Sequence, residues 1–344
     1  MIALILVGWF GLGNPCDSGA VQPAEATASL SRFEFAETHM GSTFKLILYS
    51  TDESVARDAS RAAYRRIAEL DKILSDYQPE SELSQLPRKA EERATAVSDD
   101  LFKILERSKQ LWEQSDGAFD ITIAPVGRLW RRARREHRLP DKTLLQQTLA
   151  LVGSNHLILD PEAKTVRLTK PGLKLDAGGI AKGYASQAAL EVLKARGIRQ
   201  ALVAGAGDIV VGDAPPGAKG WKVGIAPLED SKAEPEQTLL LANAAISTSG
   251  DAERYVILDG RRYSHIVDPK TGLGVVERAS VTVIADDGAT ADPLATAIYI
   301  LGPDRGLKLV ESIPGAAAYY VRQTPSGIQT HISSRFRQRL SQKK

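Results

Sequence analysis

Apolar positions in the first third of the chain follow two different spacings. From residue 44 to residue 48 they alternate strongly enough to predict a strand with one side more buried. From residue 55 to residue 74 they recur every three or four positions, which predicts a helix. A second helix is predicted from residue 98, with Gly117 past its end. Residues 78–97 are polar and contain two prolines, so we expect a loop there.

The rest of the chain predicts short strands and three further helices. One helix covers residues 179–196, and two more cover 291–300 and 304–312, separated by Gly302-Pro303. Strands are predicted at 157–159, 165–168, 201–204, 221–226, 238–242, 255–258, 262–266, 281–285 and 316–322. Because strands and helices do not alternate strictly, the pattern favours the α+β class over a doubly wound sheet.

The two ends of the chain differ from the rest. Residues 1–13 are apolar and uncharged, which predicts an export signal cleaved near residues 20–24. Cys16 stands where a lipidated cysteine could stand, although Pro15 is unfavourable beside such a cut, so a lipid anchor remains an alternative. We therefore expect a signal segment and linker over 1–25 and a frayed basic tail over 336–344. Between them we expect one functional domain over 30–335, and a division of this domain into two lobes with the site between them is the alternative.

Composition narrows the class of protein. Of 344 residues, 43% are hydrophobic and 25% charged, which is typical of a soluble globular chain. The net charge of +2 gives no general reason to expect a nucleic-acid partner. Six arginines lie between Arg128 and Arg138 with Trp130 as the one aromatic residue among them, so we expect a solvated helix face. A single cysteine excludes a disulfide framework and a cysteine-based zinc site.

The segment from Leu175 to Tyr184 is the strongest candidate for chemistry. A short apolar run ends at Asp176, two glycines follow, and a helix begins with Lys182 in its first turn. Exposed backbone N–H groups, the helix N-terminus and a lysine suit a phosphate or pyrophosphate. The alternative is an ordinary glycine turn with Lys182 in water. Residues 205–208 follow another predicted strand, and a dinucleotide fingerprint would need a helix after them. Because residues 209–211 continue as strand, we exclude that fingerprint, and a close turn next to a ligand remains the alternative.

Three other positions could serve a phosphate reaction. Asp292 and Thr296 lie four residues apart at a predicted helix start and could supply hard oxygen ligands to Mg²⁺, or Asp292 could simply cap the helix. His265, just before a turn, could accept a proton or donate to a phosphate, or be structural. Asp120 has apolar neighbours and therefore needs a partner or a ligand.

Taken in order, several segments resemble the ApbE family, the FAD:protein FMN transferases. The matching segments are 39–41, 76–77 with 81–84, 117–120, 176–183, 247–251, 265–272 and 291–296. The chain departs from the family pattern at Gly179, where some members carry a hydroxyl side chain, and at Pro293. Residues 287–290 read Asp-Gly-Ala-Thr, similar to the acceptor motif of flavinylated proteins, and we interpret this as coincidence.

The resemblance implies a fold, an activity and a location. The fold would have mixed, largely antiparallel sheets flanked by helices, similar to the tunnelling fold. The enzyme would use Mg²⁺ to transfer FMN from FAD to a Thr or Ser hydroxyl of a target protein, such as a membrane redox-complex subunit, and release AMP. It would act on the periplasmic side of the inner membrane. A Mg²⁺-dependent FAD pyrophosphatase and a non-catalytic FAD-binding lipoprotein are the alternatives.

The resemblance also assigns residues to the site. FAD would be bound by Met40, Tyr77, Ala118, Phe119, Asp120, Asp176, Lys182, His265 and Ile266. Mg²⁺ would be held by the backbone carbonyl of Gly179 and by the side chains of Asp292 and Thr296. His265 is the first candidate for the general base and Asp292 the second.

Overall fold

The computed structural model describes residues 29–229, 233–251 and 254–341. In chain order its strands are β1 (Ser31–His39), β2 (Ser42–Ser50), β3 (Thr95–Ala96), β4 (Leu157–Asp160), β5 (Thr165–Leu168), β6 (Ala201–Gly205), β7 (Asp208–Val211), β8 (Trp221–Ile225), β9 (Gln237–Leu241), β10 (Ala244–Gly250), β11 (Tyr255–Leu258), β12 (Arg261–Ser264), β13 (Ala279–Ala285), β14 (Ala317–Thr324) and β15 (Gly327–Ile332). The helices are α1 (Glu53–Leu74), α2 (Glu82–Glu92), α3 (Asp99–Gln114), α4 (Ala124–Glu136), α5 (Lys142–Leu149), α6 (Ala181–Ala195), α7 (Gly288–Ser312) and α8 (Ser334–Ser341). The expected signal segment lies outside the described residues.

An eight-stranded sheet forms the centre of the fold. Its strand order is β1-β2-β6-β7-β10-β13-β14-β15, and every neighbouring pair is antiparallel. Three smaller units accompany it: the sheet β3-β5-β4 and the hairpins β8–β9 and β11–β12. The prediction of an α+β fold with largely antiparallel sheets flanked by helices is confirmed.

Both faces of the large sheet are buried. Leu46 and Leu48 of β2 pack in the main core with apolar residues of α1, α6 and α7. Ile47, between them, is 1% exposed and packs in a second core with residues of β8, β9 and α8. The prediction that one side of this strand is more buried is confirmed, since Phe44, Leu46 and Leu48 are fully buried and Lys45 is only partly buried. Ile47 is buried as well, because a second layer of chain covers the other face there.

Helices α6 and α7 cross at a pair of glycines. A Cβ atom on Gly183 would lie 2.1 Å from the carbonyl oxygen of Gly288, so any side chain here would force the helices apart. This contact brings the first turns of two helices together from distant parts of the sequence. The break expected at Gly302 is confirmed, since its φ of +74° interrupts the helical backbone of α7.

Two segments differ from prediction. The expected loop at 78–97 contains α2, which Ser81 caps and which buries Leu83, Leu86 and Ala90 on one side. Pro87 costs this helix one backbone hydrogen bond, and the apolar face compensates for it. The basic tail does not fray within the described residues, because α8 extends to Ser341 and buries Phe336 completely. No helix in the described part of the chain is long and apolar enough to cross a membrane.

Candidate functional site

A cavity of about 380 Å³ opens where α4, α6, α7 and the chain after β12 meet. It is lined by eleven of the residues assigned from sequence, namely Tyr77, Ala118, Phe119, Asp120, Asp176, Gly179, Lys182, His265, Ile266, Asp292 and Thr296. The structure thus brings together residues from five separate segments. Met40 does not line the cavity, because it lies in the turn between β1 and β2 and its side chain packs against the main core.

Lys182 lies between two carboxylates on the cavity wall. Its Nζ is 3.2 Å from Oδ2 of Asp208 and 3.6 Å from Oδ2 of Asp292. It also donates to the carbonyl oxygen of Gly178 at 3.2 Å. Burial alone would lower the pKa of Lys182, but the charges of the two aspartates outweigh burial and raise this pKa above its usual value. The alternative that Lys182 merely extends into water is therefore excluded.

Asp208 is a site residue that the sequence did not single out. It follows the tight turn between β6 and β7, in which Ala206 takes a left-handed φ of +57°. Its side chain is 6% exposed and accepts a hydrogen bond from Ser247 Oγ at 2.5 Å. The sequence does contain one signal for Asp208, the turn at residues 205–208. From that turn we expected only a close approach of the backbone to a ligand.

Asp292 is buried and does not cap its helix. The cap of α7 is Asp287, whose side chain accepts from the Thr290 N–H, so the capping alternative is wrong. Asp292 Oδ2 instead accepts the N–H of Gly183 across the helix crossing at 3.0 Å. Burial and the nearby charge of Asp208 raise the pKa of Asp292 to about 7.

Gly179, Ser249 and Thr296 lie close together at the position expected for a metal. Thr296 Oγ1 lies 3.3 Å from Ser249 Oγ, and a Cβ on Gly179 would lie 3.6 Å from Thr296 Oγ1. Within the described ranges no cluster of three His, Cys, Asp or Glu side chains could hold a metal ion. A cation here would therefore rely on a few carboxylate, hydroxyl and carbonyl oxygens, a donor set that fits Mg²⁺, which keeps several waters and binds substrate phosphates.

His265 faces the cavity with one ring nitrogen engaged. Its Nδ1 lies 3.1 Å from the carbonyl oxygen of Arg254, and its backbone N–H donates to the same oxygen at 2.9 Å. Burial and the positive charges of Arg254, Arg134 and Lys182 lower the pKa of His265 to about 4. The imidazole is therefore neutral at pH 7, and donation from Nδ1 leaves the Nε2 lone pair available.

Asp120 finds its partners within the protein. Its carboxylate accepts hydrogen bonds from the backbone and side chain of Thr122, at 2.9 and 2.7 Å, and from those of Ser154, at 3.2 and 2.7 Å. The four bonds satisfy a buried charge and fix the loop that carries Ala118 and Phe119. Asp120 thus holds one wall of the cavity in place.

The arginine-rich helix α4 contributes two of its arginines to the cavity wall. Arg131 and Arg134 line it, so the prediction of a solvated helix face is wrong for these two positions. The prediction holds for Arg132, whose side chain is 59% exposed. Beside Arg131, burial and the charge of Asp176 raise the pKa of Asp76 to about 6.

Comparison with known proteins identifies related sequences. A model of the ApbE family matches residues 40–320. An FAD:protein FMN transferase of Klebsiella pneumoniae (strain 342) is 31% identical over 277 residues, which cover 80% of this chain and 84% of that protein. One of Vibrio cholerae serotype O1 is 29% identical over 331 residues, which cover 94% of this chain and 96% of the relative.

Solved structures show the same fold. The flavin transferase ApbE from Vibrio cholerae superposes with a TM-score of 0.81 at 26% identity, covering 90% of this chain and 99% of the other. The apo form of the Pseudomonas stutzeri flavinyl transferase ApbE gives a TM-score of 0.79 at 31% identity, with 90% and 97% covered.

Proposed function

The chain belongs to the ApbE family, and on that premise we propose that it transfers FMN from FAD to a Thr or Ser hydroxyl of a target protein, with Mg²⁺ as cofactor and AMP as the second product. One observation carries the proposal. Lys182, Asp292 and a neutral His265, which are far apart in sequence, line one cavity. Pure binding of FAD would not need all three.

The residues supply the groups that this transfer requires. Lys182, in the first turn of α6, presents its positive charge to the FAD pyrophosphate. The acceptor oxygen forms a bond to the phosphorus of the FMN half, and the bond from that phosphorus to the bridging oxygen breaks, so that AMP leaves with that oxygen. The hydroxyl proton goes to Nε2 of His265. The negative pyrophosphate beside this imidazole raises its basicity from the low value of the free protein.

The metal would be held by the carbonyl of Gly179 and the side chains of Asp292 and Thr296. When bound, Mg²⁺ neutralises charge on the phosphoryl oxygens and orients the two phosphates. Asp208 is not one of these metal ligands. Its carboxylate pairs with the Lys182 ammonium and holds that ammonium in the cavity, where we place the FAD pyrophosphate.

The location is part of the same proposal. Export to the periplasmic side of the inner membrane is supported by the apolar residues 1–13, and Cys16 offers a point for lipid attachment. The intact mass of the mature protein purified from membranes tests both statements. A mature chain that begins before residue 16 and carries no lipid would contradict both export and lipid attachment.

The reaction itself is tested by following two products together. The purified enzyme is incubated with FAD, Mg²⁺ and an acceptor domain carrying Asp-Gly-Ala-Thr, alongside the same domain with that Thr replaced by Ala. A gain of one FMN on the first acceptor alone, matched by an equal amount of AMP, supports transfer. AMP and free FMN with no adduct would instead identify a pyrophosphatase, in which water takes the place of the hydroxyl, and bound FAD without AMP would identify a carrier.

A further inference from the structure

Tyr77 is an exposed aromatic ring on the cavity wall. It is 74% exposed, yet it lines the cavity. The guanidinium of Arg131 covers it, with Cζ 5.1 Å from the ring centroid. Among the described residues, no other ring or cation stacks on Tyr77.

Arg131 is itself held by two carboxylates. Its Nη2 is 3.3 Å from Oδ2 of Asp76, and its Nη1 is 3.7 Å from Oδ2 of Asp176. Their side chains are only 6% and 17% exposed, whereas that of Arg131 is 34% exposed. Nη1 also donates to the Tyr77 hydroxyl at 3.3 Å. The guanidinium therefore has a fixed position from which it can orient the ring.

We infer that Arg131 is a positioning residue, which holds Tyr77 so that the uncovered part of its ring stacks on a planar ring of FAD. The inference rests on the proposed function, because FAD supplies the planar ring, either isoalloxazine or adenine. An exposed tyrosine with no partner would lose rotamer freedom on binding, and a ring already fixed by a cation avoids much of that cost. Arg131 touches no reacting atom in this arrangement.

The alternative is that Arg131 only ties α4 to the chain around Asp176. These segments are close, since a Cβ on Gly127 would lie 3.7 Å from Asp176 Oδ2. A structural role of this kind would lower stability and would affect every ligand of the cavity alike. If Arg131 instead positions Tyr77, loss of Arg131 weakens the binding of one ring of FAD only, and it does so only in a protein that still has Tyr77.

The test measures the binding of FMN and of AMP separately to the full-length protein in EDTA. FMN binding is followed by flavin fluorescence and AMP binding by calorimetry. With Arg131→Gln we expect the Kd of one of the two ligands to rise about tenfold, while the other stays within about twofold. Arg131→Lys keeps a positive charge between the carboxylates but lacks the planar guanidinium, so it should give the same pattern if Arg131→Gln does not fold. Arg132→Gln, next along α4, is the matched control and should change neither Kd; among the residues that the structure describes, Arg132 forms its ion pair with Glu136 at 2.7 Å.

A Tyr77→Leu background separates positioning from direct contact. Adding Arg131→Gln to Tyr77→Leu should change the affected Kd by less than about twofold, because the ring through which Arg131 acts is gone. In steady state, Arg131→Gln should raise the KM for FAD and leave kcat nearly unchanged. The inference is overturned if both Kd values stay at the wild-type level in a folded variant, or if the loss is as large without Tyr77 as with it. A protein that shows the expected binding pattern but transfers no FMN would contradict the proposed function alone.

Discussion

Three charged side chains dominate the cavity at the scale of single residues. The carboxyl groups of Asp292 and Asp208 are both buried, and Lys182 supplies one positive charge between them. One uncompensated charge costs free energy of folding, which is the usual signature of a site arranged for function. The raised pKa of Asp292, about 7, reports that cost.

Asp292→Asn should therefore stabilise the metal-free protein at neutral and alkaline pH. The folded pKa lies above the unfolded value of 3.8, so the stability due to the proton on Asp292 is complete below about pH 4 and lost as the pH rises through 7. An asparagine side chain does not ionise, so the variant has no such loss of stability, and its amide oxygen still accepts the Gly183 N–H. In thermal melts with EDTA, the advantage of the variant should grow from pH 4 to pH 8. An advantage that shrinks over this range would contradict the assignment.

His265→Gln tests the proposed base. We expect FMN transfer to fall by about 10²–10⁴-fold, as for loss of a general base. Because the folded pKa of about 4 lies below the usual value of 6.5, neutral His265 contributes stability above pH 6.5 that is lost as the pH falls to 4. The variant should thus lose less stability than wild type between pH 7 and pH 4. Full transfer by a folded variant at neutral pH would exclude His265 as the base.

At the scale of elements, the crossing of α6 and α7 builds the site. Gly183 and Gly288 allow the two backbones to touch, and this contact places Lys182 beside Asp292. Gly183 and Asp292 are hydrogen-bonded here although 109 positions separate them in the sequence. Neither helix could approach so closely with a side chain at the contact. The geometry of the charged cluster therefore depends on two residues that have no chemistry of their own.

Gly183→Ala should disrupt this crossing. The new Cβ would lie 2.1 Å from a backbone oxygen, which can move only if a helix moves. We expect a loss of about 1–3 kcal/mol in the free energy of unfolding by urea denaturation. Gly127→Ala is the matched control, since its Cβ would meet its nearest atom at an ordinary 3.7 Å and Ala favours the helix. Equal stability of the two variants would contradict the role given to the crossing.

The sequence predicted elements better than it predicted their contacts. The apolar spacing gave α1 and α3 with their start and stop signals, and Gly302 marked the break in α7. The helix α2 was missed because Pro87 and a polar composition outweighed a short apolar face. Asp208 and Arg131 could not be assigned from local pattern, since each becomes a site residue only through the packing of distant segments.

At the scale of the whole molecule, the large sheet supports the cavity and contributes Asp208 from β7 and Ser249 from β10 to its wall. One face of the sheet carries α1, α6 and α7, and the other is covered by the second core around Ile47. Residues of helices and loops beside this rigid layer form the rest of the cavity wall, and loops on a rigid scaffold commonly carry binding residues. The match to the ApbE family over residues 40–320 covers the cavity and most of the large sheet, but not its edge strands β1 and β15.

The most direct test of the account is the mass of an acceptor domain after incubation with FAD, Mg²⁺ and either wild-type enzyme or Asp292→Asn. Asp304→Asn is the matched control, because Asp304 is exposed on the same helix. Wild type and the control should each add one FMN to the acceptor, and Asp292→Asn should add none while remaining folded. FMN transfer at the wild-type rate by Asp292→Asn would contradict the claim that this cavity is where the flavin is transferred.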